Sequence, residues 1–193
     1  MNRFAFASCL FAAAGLASAQ GVMTITWSAS DTGNGDGIVE PGESAVMTMW
    51  AEMSPGQTGF AGSIYDLNGD ALWQAGTVES YENLLGELTD DGTLNGDNSI
   101  TNIESFQLPP AFNGNFVADN PIALYRVTWT PASYDGAFVS IDSTHINFDV
   151  YTDTFGTSES YTGEVFGGLI KVVPAPSSLA LLGLGGLMAR RRR

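Results

Sequence analysis

The chain has 193 residues, with 21 acidic against 7 basic and a formal net charge of −14. Every acid lies between Asp31 and Glu164, while Arg3 and Arg190–Arg193 sit at the ends, so Arg126 and Lys171 are the only cations of the body. That balance excludes a nucleic-acid face, which needs basic residues against phosphate, and an anionic lipid surface; it suits divalent cations, basic partners or simple solvation of an exported surface.

The N-terminus reads as a secretory signal peptide over residues 1–19. Arg3 gives a positive start, Phe4–Leu16 is apolar, and Ala17-Ser18-Ala19 places small side chains where signal peptidase cuts, before Gln20. The single cysteine, Cys9, falls inside the apolar stretch. The mature chain therefore has no disulfide, no thiolate metal site and no cysteine nucleophile. Residues 20–172 have the length of one domain and enough chain to bury a core without covalent staples.

Within that domain the pattern is one of short alternating segments separated by Gly, Asn, Asp and Pro. Val22–Trp27, Ser44–Met53, Gly59–Leu67 and Ile122–Thr130 alternate with period two, and Trp27 and Trp129 fall on the apolar phase. Phe138–Ile141 leads into Ile146, Phe148 and Val150, with His145, Asn147 and Asp149 opposite; Tyr161–Val172 is a last strand region. Val78, Tyr81, Leu84, Leu85 and Leu88 instead recur at helical spacing, which predicts a short helix over Thr77–Leu88. Pro109-Pro110 and Phe112–Asn120 read as loop. The expected fold is all-β, an antiparallel β-sandwich with one short helix. In this arrangement, rather than in any single motif, the body resembles exported cohesin-like or immunoglobulin-like modules.

"DTGNGDGIVEPGE", Asp31–Glu43, is the most chemically pointed stretch. Ca²⁺ takes six to eight oxygens, and a glycine-kinked loop aims alternate side chains at one point. Asn34, Asp36 and Gly37 occupy the third, fifth and sixth places of a twelve-residue loop closed by Glu43, but Thr32 stands first and Asp31 lies one residue early. The stretch resembles the loops that open before strands in exported bacterial sandwich modules. Asn-Gly, Asp-Gly and Pro-Gly pairs equally make plain β-turns with no ion. "DLNGDA" offers Asp66, Asn68 and Asp70 at one-three-five spacing, and "TLNGDN" offers Asn95 and Asp97, with Asn98 suited to the left-handed conformation. Ca²⁺ and turn chemistry are both open for all three.

Enzyme signatures are sparse. His145 is the only histidine, no G-x-S-x-G elbow accompanies it, and one His without Cys is poor material for zinc. A secreted hydrolase would rest on His145 or on a pair of carboxylates, and among 21 acids such pairs arise by chance. Trp50 and Trp73 are the tryptophans expected at the surface, where they would serve a carbohydrate-binding module.

The C-terminus closes with "VPAPSSLALLGLGGLMARRRR", residues 173–193. Ser177–Ala189 is uncharged and short of the roughly 20 residues a full bilayer span needs. Arg190, Arg191, Arg192 and Arg193 would remain cytoplasmic by the positive-inside bias. The order of Val173, Pro174, Ala175, Pro176, an apolar helix and an arginine cluster resembles the PEP-CTERM sorting tail, with Ala175 where Glu is usual. The resemblance implies an exosortase-like membrane peptidase as partner, transient anchoring in the inner membrane by a C-terminal hydrophobic helix, and a role at the cell surface or in an exopolysaccharide-bearing matrix; the sparse enzyme signatures make the expected body non-enzymatic.

Overall fold

The computed structural model describes residues 23–86, 88–161 and 163–174. The expected signal peptide with Ala17, Ala19 and Gln20, and the tail from Ala175 through Arg193, lie outside the described residues. Within them, no helix is long and apolar enough to cross a membrane.

Two sheets face each other. The first has the order β12-β1-β3-β8-β5, built from β1 (Met23–Asp31), β3 (Ala45–Glu52), β5 (Thr77–Asn83), β8 (Ile122–Thr130) and β12 (Gly163–Val165). The second has the order β11-β10-β4-β9-β13-β2, with β7 beside β4 and β6 beside β7. Its strands are β2 (Ile38–Val39), β4 (Gly59–Gly69), β6 (Thr93–Leu94), β7 (Ile100–Phe106), β9 (Phe138–His145), β10 (Asp149–Tyr151), β11 (Ser158–Ser160) and β13 (Gly168–Val172). Most pairs are antiparallel, as expected. However, β1 runs parallel to β12 and β13 parallel to β2, so both sheets are mixed.

Alternation builds the core. Met23 and Ile25 of β1, Ala45, Met47, Met49 and Ala51 of β3, and Val127 and Trp129 of β8 point inward from the first sheet. Tyr65 and Leu67 of β4, Ile100 and Ile103 of β7, and Val139 and Ile141 of β9 meet them from the second. A large apolar side chain buried this way contributes about 1.5–3 kcal/mol.

The helix is present, but not where the periodicity put it. It is α1 (Ala71–Ala75), and Thr77–Asn83 is the strand β5. A bulge between Val78 and Ser80 inserts one residue against β8. The inward Val78 and Tyr81 are therefore three apart, which imitates a helical repeat. The sequence of β7 hides its strand for a related reason: Asn102 has φ +58 within it, so the inward Ile100 and Ile103 are also three apart.

Candidate functional site

The loop joining β1 to β3 is organised around Asp31. Its Oδ1 accepts the amides of Gly33 at 2.8 Å and Gly35 at 3.0 Å, and its Oδ2 accepts that of Gly37 at 3.0 Å. Burial pushes its pKa up, but the amides of Gly35, Gly37, Gly33 and Asn34 together outweigh this and hold the carboxyl below its usual range. Gly37 takes φ +78, which a side chain would strain. Asn34 Oδ1 accepts Asp36 N–H at 2.8 Å, Asp36 Oδ1 accepts Ile38 N–H at 2.9 Å, and Glu43 Oε2 accepts Glu40 N–H at 3.0 Å. The Tyr134 hydroxyl donates to Glu43 O at 3.0 Å and ties the loop to the β8–β9 connection. Asp31, Asn34, Asp36 and Glu43 thus share one loop, each with a backbone partner.

Asp66, Asn68 and Asp70 do not share a point. Asp66 Oδ1 accepts the Asn102 amide at 2.8 Å, and Asn68 is exposed. Asp70 caps α1: its Oδ1 accepts Leu72 and Trp73 amides at 2.9 Å, while its Oδ2 accepts Ser140 N–H at 2.9 Å and Ser140 Oγ–H at 3.1 Å. Burial raises its pKa, and these donors more than reverse that, leaving it below the usual range. Among the described residues, no three His, Cys, Asp or Glu side chains are grouped to hold a metal ion.

What Asp66 does join is an acidic face. It lies opposite Thr144 of β9, Asn68 lies opposite Asp142, and Ile64 opposite Glu104 of β7, all on outward positions. Asp90 bridges to Glu104 through reciprocal backbone bonds of 2.9 and 3.0 Å. A cleft of about 590 Å³ opens beside this face, lined by Asp90, Glu104, Phe106, Asp149, Leu88 and Leu108. Phe106, which lines it, lies against Gly62, where a Cβ would fall 1.9 Å from the ring. Sequence spacing alone could not find this face, because it is assembled from three strands far apart in the chain.

His145 departs from its expected exposed place. It is half-buried and stacked between Tyr65, with centroids 4.8 Å apart, and Phe148, 4.6 Å. A break after β9 returns Phe148 and Val150 to the core and leaves Ile146 exposed, so the alternation does not run unbroken through these residues. The Ser63 hydroxyl donates to Asn147 O at 2.6 Å, so its oxygen receives Nδ1–H of His145 at 2.9 Å, and Ser143 Oγ–H donates to Nε2 at 3.0 Å. Burial pushes the imidazole pKa down to about 4. A neutral ring held by two serines and two aromatic faces is poor material for a general base.

Of the two tryptophans expected at the surface, Trp73 is in the core. It is 1% exposed and stacked on Trp129 at 5.3 Å and 9°: the Asp70 cap holds α1 against β9 and β4, and the indole reaches inward to β8. Trp129 is buried as its strand phase requires, and Trp27 is half-buried against the same core. Trp50 is half-buried on the outer face of the first sheet, with its Nε1–H donating to Ser28 Oγ at 2.9 Å.

No family's sequence profile matches this chain, and no curated protein matches it in sequence. Solved structures do match its fold. The seventh ScaB type I cohesin of Pseudobacteroides cellulosolvens gives a TM-score of 0.58 at 15% identity, over 80% of this chain and 94% of that one. A chain of the Coh-OlpA–Doc918 complex, a type I cohesin–dockerin pair from Clostridium thermocellum, gives 0.56 at 9% identity, over 79% and 99%. A cohesin module from a Clostridium perfringens family 33 glycoside hydrolase gives 0.52 at 15% identity, over 80% and 98%. The chain folds as a cohesin-like β-sandwich of two mixed sheets and one short helix.

Proposed function

We propose that this chain is an exported, non-catalytic recognition module, and that the outward face of β9, β4 and β7 binds a basic protein surface. The observation that carries the proposal is the row of Asp66, Asp142 and Glu104 on a fold shared with cohesins, one of them in complex with a dockerin. Neither cation of the described body lies on those strands: Arg126 is on β8 and Lys171 on β13. Among the described residues the ion pair is Arg126 with Glu82, so no cation is paired with the row, and a cationic partner gains both attraction and steering from it. The neutral, aromatic-clamped His145 supports a binding role over a hydrolytic one.

The two ends of the sequence support the remainder of the proposal. Signal peptidase releases residues 1–19, and an exosortase-like peptidase acts at the Pro174–Pro176 motif, leaving the module at the cell surface or in the matrix.

Biolayer interferometry of the mature protein against a panel of purified dockerins tests the binding role. We expect at least one to bind at about 50 mM salt and to weaken several-fold at about 300 mM. The triple variant Asp66→Asn, Glu104→Gln, Asp142→Asn should abolish that binding without altering the melting temperature. No binding across the panel, or binding indifferent to the triple variant, would refute the assignment.

A further inference from the structure

We infer that the opposite sheet carries a second, separate surface that binds neutral polysaccharide, centred on Trp50. Trp50 is the one aromatic side chain on the outward positions of β1, β3 and β8. The β3–β8 register shifts between Met49 and Trp50, so the chain is re-aimed at this residue. Its opposite neighbours are small, Thr26 on β1 and Ala123 on β8, and leave the indole room to lie over the sheet. The bond from its Nε1–H to Ser28 Oγ, a residue on the adjoining strand, fixes that orientation. An indole held in place in the free protein needs no ordering when a ligand stacks on it.

The chemistry around the indole selects the ligand. Thr26, Ser28, Thr48 and Thr128 present hydroxyls that both donate and accept, which suits a polyol. Formal charge is almost absent: the outward Arg126 is neutralised by Glu82 at 2.9 Å, and Glu52 stands at the end of β3. In a chain with 21 acids, a three-strand field without an interior carboxylate is a marked local departure. A basic protein finds only Glu52 at the end of β3 and Glu164 on the bordering β12 to pair with, both at the rim of this field, and an anionic polymer meets the field of a −14 protein. A neutral sugar chain needs only the aromatic face and the hydroxyls. An open sheet face fits an extended polymer better than a small molecule, which prefers a concave site.

Native affinity electrophoresis of the mature protein tests the inference, in gels containing hydroxyethylcellulose, galactomannan, arabinoxylan or, as the anionic comparison, alginate. At least one neutral polymer should retard the protein. Trp50→Ala should weaken that retardation about tenfold, and Thr48→Ala should weaken it less. The pair Glu104→Gln, Asp142→Asn on the other sheet should leave it unchanged, which separates this surface from the protein-binding one. Should Trp50→Ala not fold, oxidation of the parent by N-bromosuccinimide supplies the readout, and the retarding polymer should slow it. Retardation in alginate alone, no retardation in any neutral gel, retention of full affinity by Trp50→Ala, or no protection from oxidation would each overturn the inference. So would dockerin binding that Trp50→Ala abolishes, because the face would then be a protein interface.

Discussion

Asp31 serves as an anchor whose oxygens are filled by three glycine-loop amides. Removing it in Asp31→Ala strands those donors in a tight loop and should cost about 2 kcal/mol in urea unfolding. The same occupancy bears on calcium. Since Asp31, Asn34, Asp36 and Glu43 already accept backbone amides, millimolar Ca²⁺ should raise the melting temperature no more than Mg²⁺ does; a Ca²⁺-specific rise lost in Asp36→Ala would show an ion site instead. His145 sets a second residue-scale expectation. Its pKa is lowered by burial to about 4, from about 6.5 when unfolded. Below about pH 6.5 the unfolded chain takes up a proton that the folded one refuses, so stability falls with pH until about 4, by up to about 3 kcal/mol. His145→Gln should flatten that part of the pH–stability curve, and an unchanged curve would contradict the buried neutral ring.

At the scale of elements, α1 depends on its ends more than on its own five residues. Asp70 closes the N-terminus, and Asn98, at φ +60, spends its Nδ2 on the carbonyls of Trp73 at 3.1 Å, Gln74 at 3.2 Å and Gly76 at 2.8 Å. Asn98→Ala should therefore cost about 2 kcal/mol, although it removes only a loop residue. Trp73 donates its Nε1–H to Asn98 O at 3.0 Å and receives Trp129 Nε1–H on its own carbonyl at 3.0 Å, so cap, helix and core form one unit. Trp73→Ala should lose about 3–5 kcal/mol by thermal or urea unfolding, a cost that a surface tryptophan would not incur. "TLNGDN" and "DLNGDA" are, in the folded chain, the two halves of this clasp. Their N-G-D resemblance to ion loops carries the same turn chemistry, applied to capping.

At the scale of the whole molecule, charge divides the surface. The β9–β4–β7 face concentrates carboxylates, while the β1–β3–β8 face is nearly free of them, so one module presents two chemically distinct sheet faces. The described chain ends at Pro174, close behind β13, whose last residues pair with β2. Val173 N–H still bonds Val39 O at 3.0 Å, so the proposed cleavage beyond it would leave the sandwich intact. The intact mass of the native product should lack residues 1–19 and the arginine-bearing tail, and fractionation should place it outside the cytoplasm. A full-length cytosolic product would refute export.

The sequence by itself determined the two-sheet fold class and the bounds of β3 and β8 within a residue or two, because alternation runs unbroken along β3 and through most of β8, where Leu124 is the one extra residue, and writes the core face directly into the chain. It also placed Trp129 inside and gave Asn98 its left-handed backbone, both local consequences of strand phase and side-chain chemistry. Only the tertiary structure decided the rest. Bulges in β5 and β7 broke the period that marks a strand, and a terminal cap swung Trp73 into the core. Both the acidic face and the Trp50 field join strands distant in sequence, and the partners that define them become neighbours only when the sheets form.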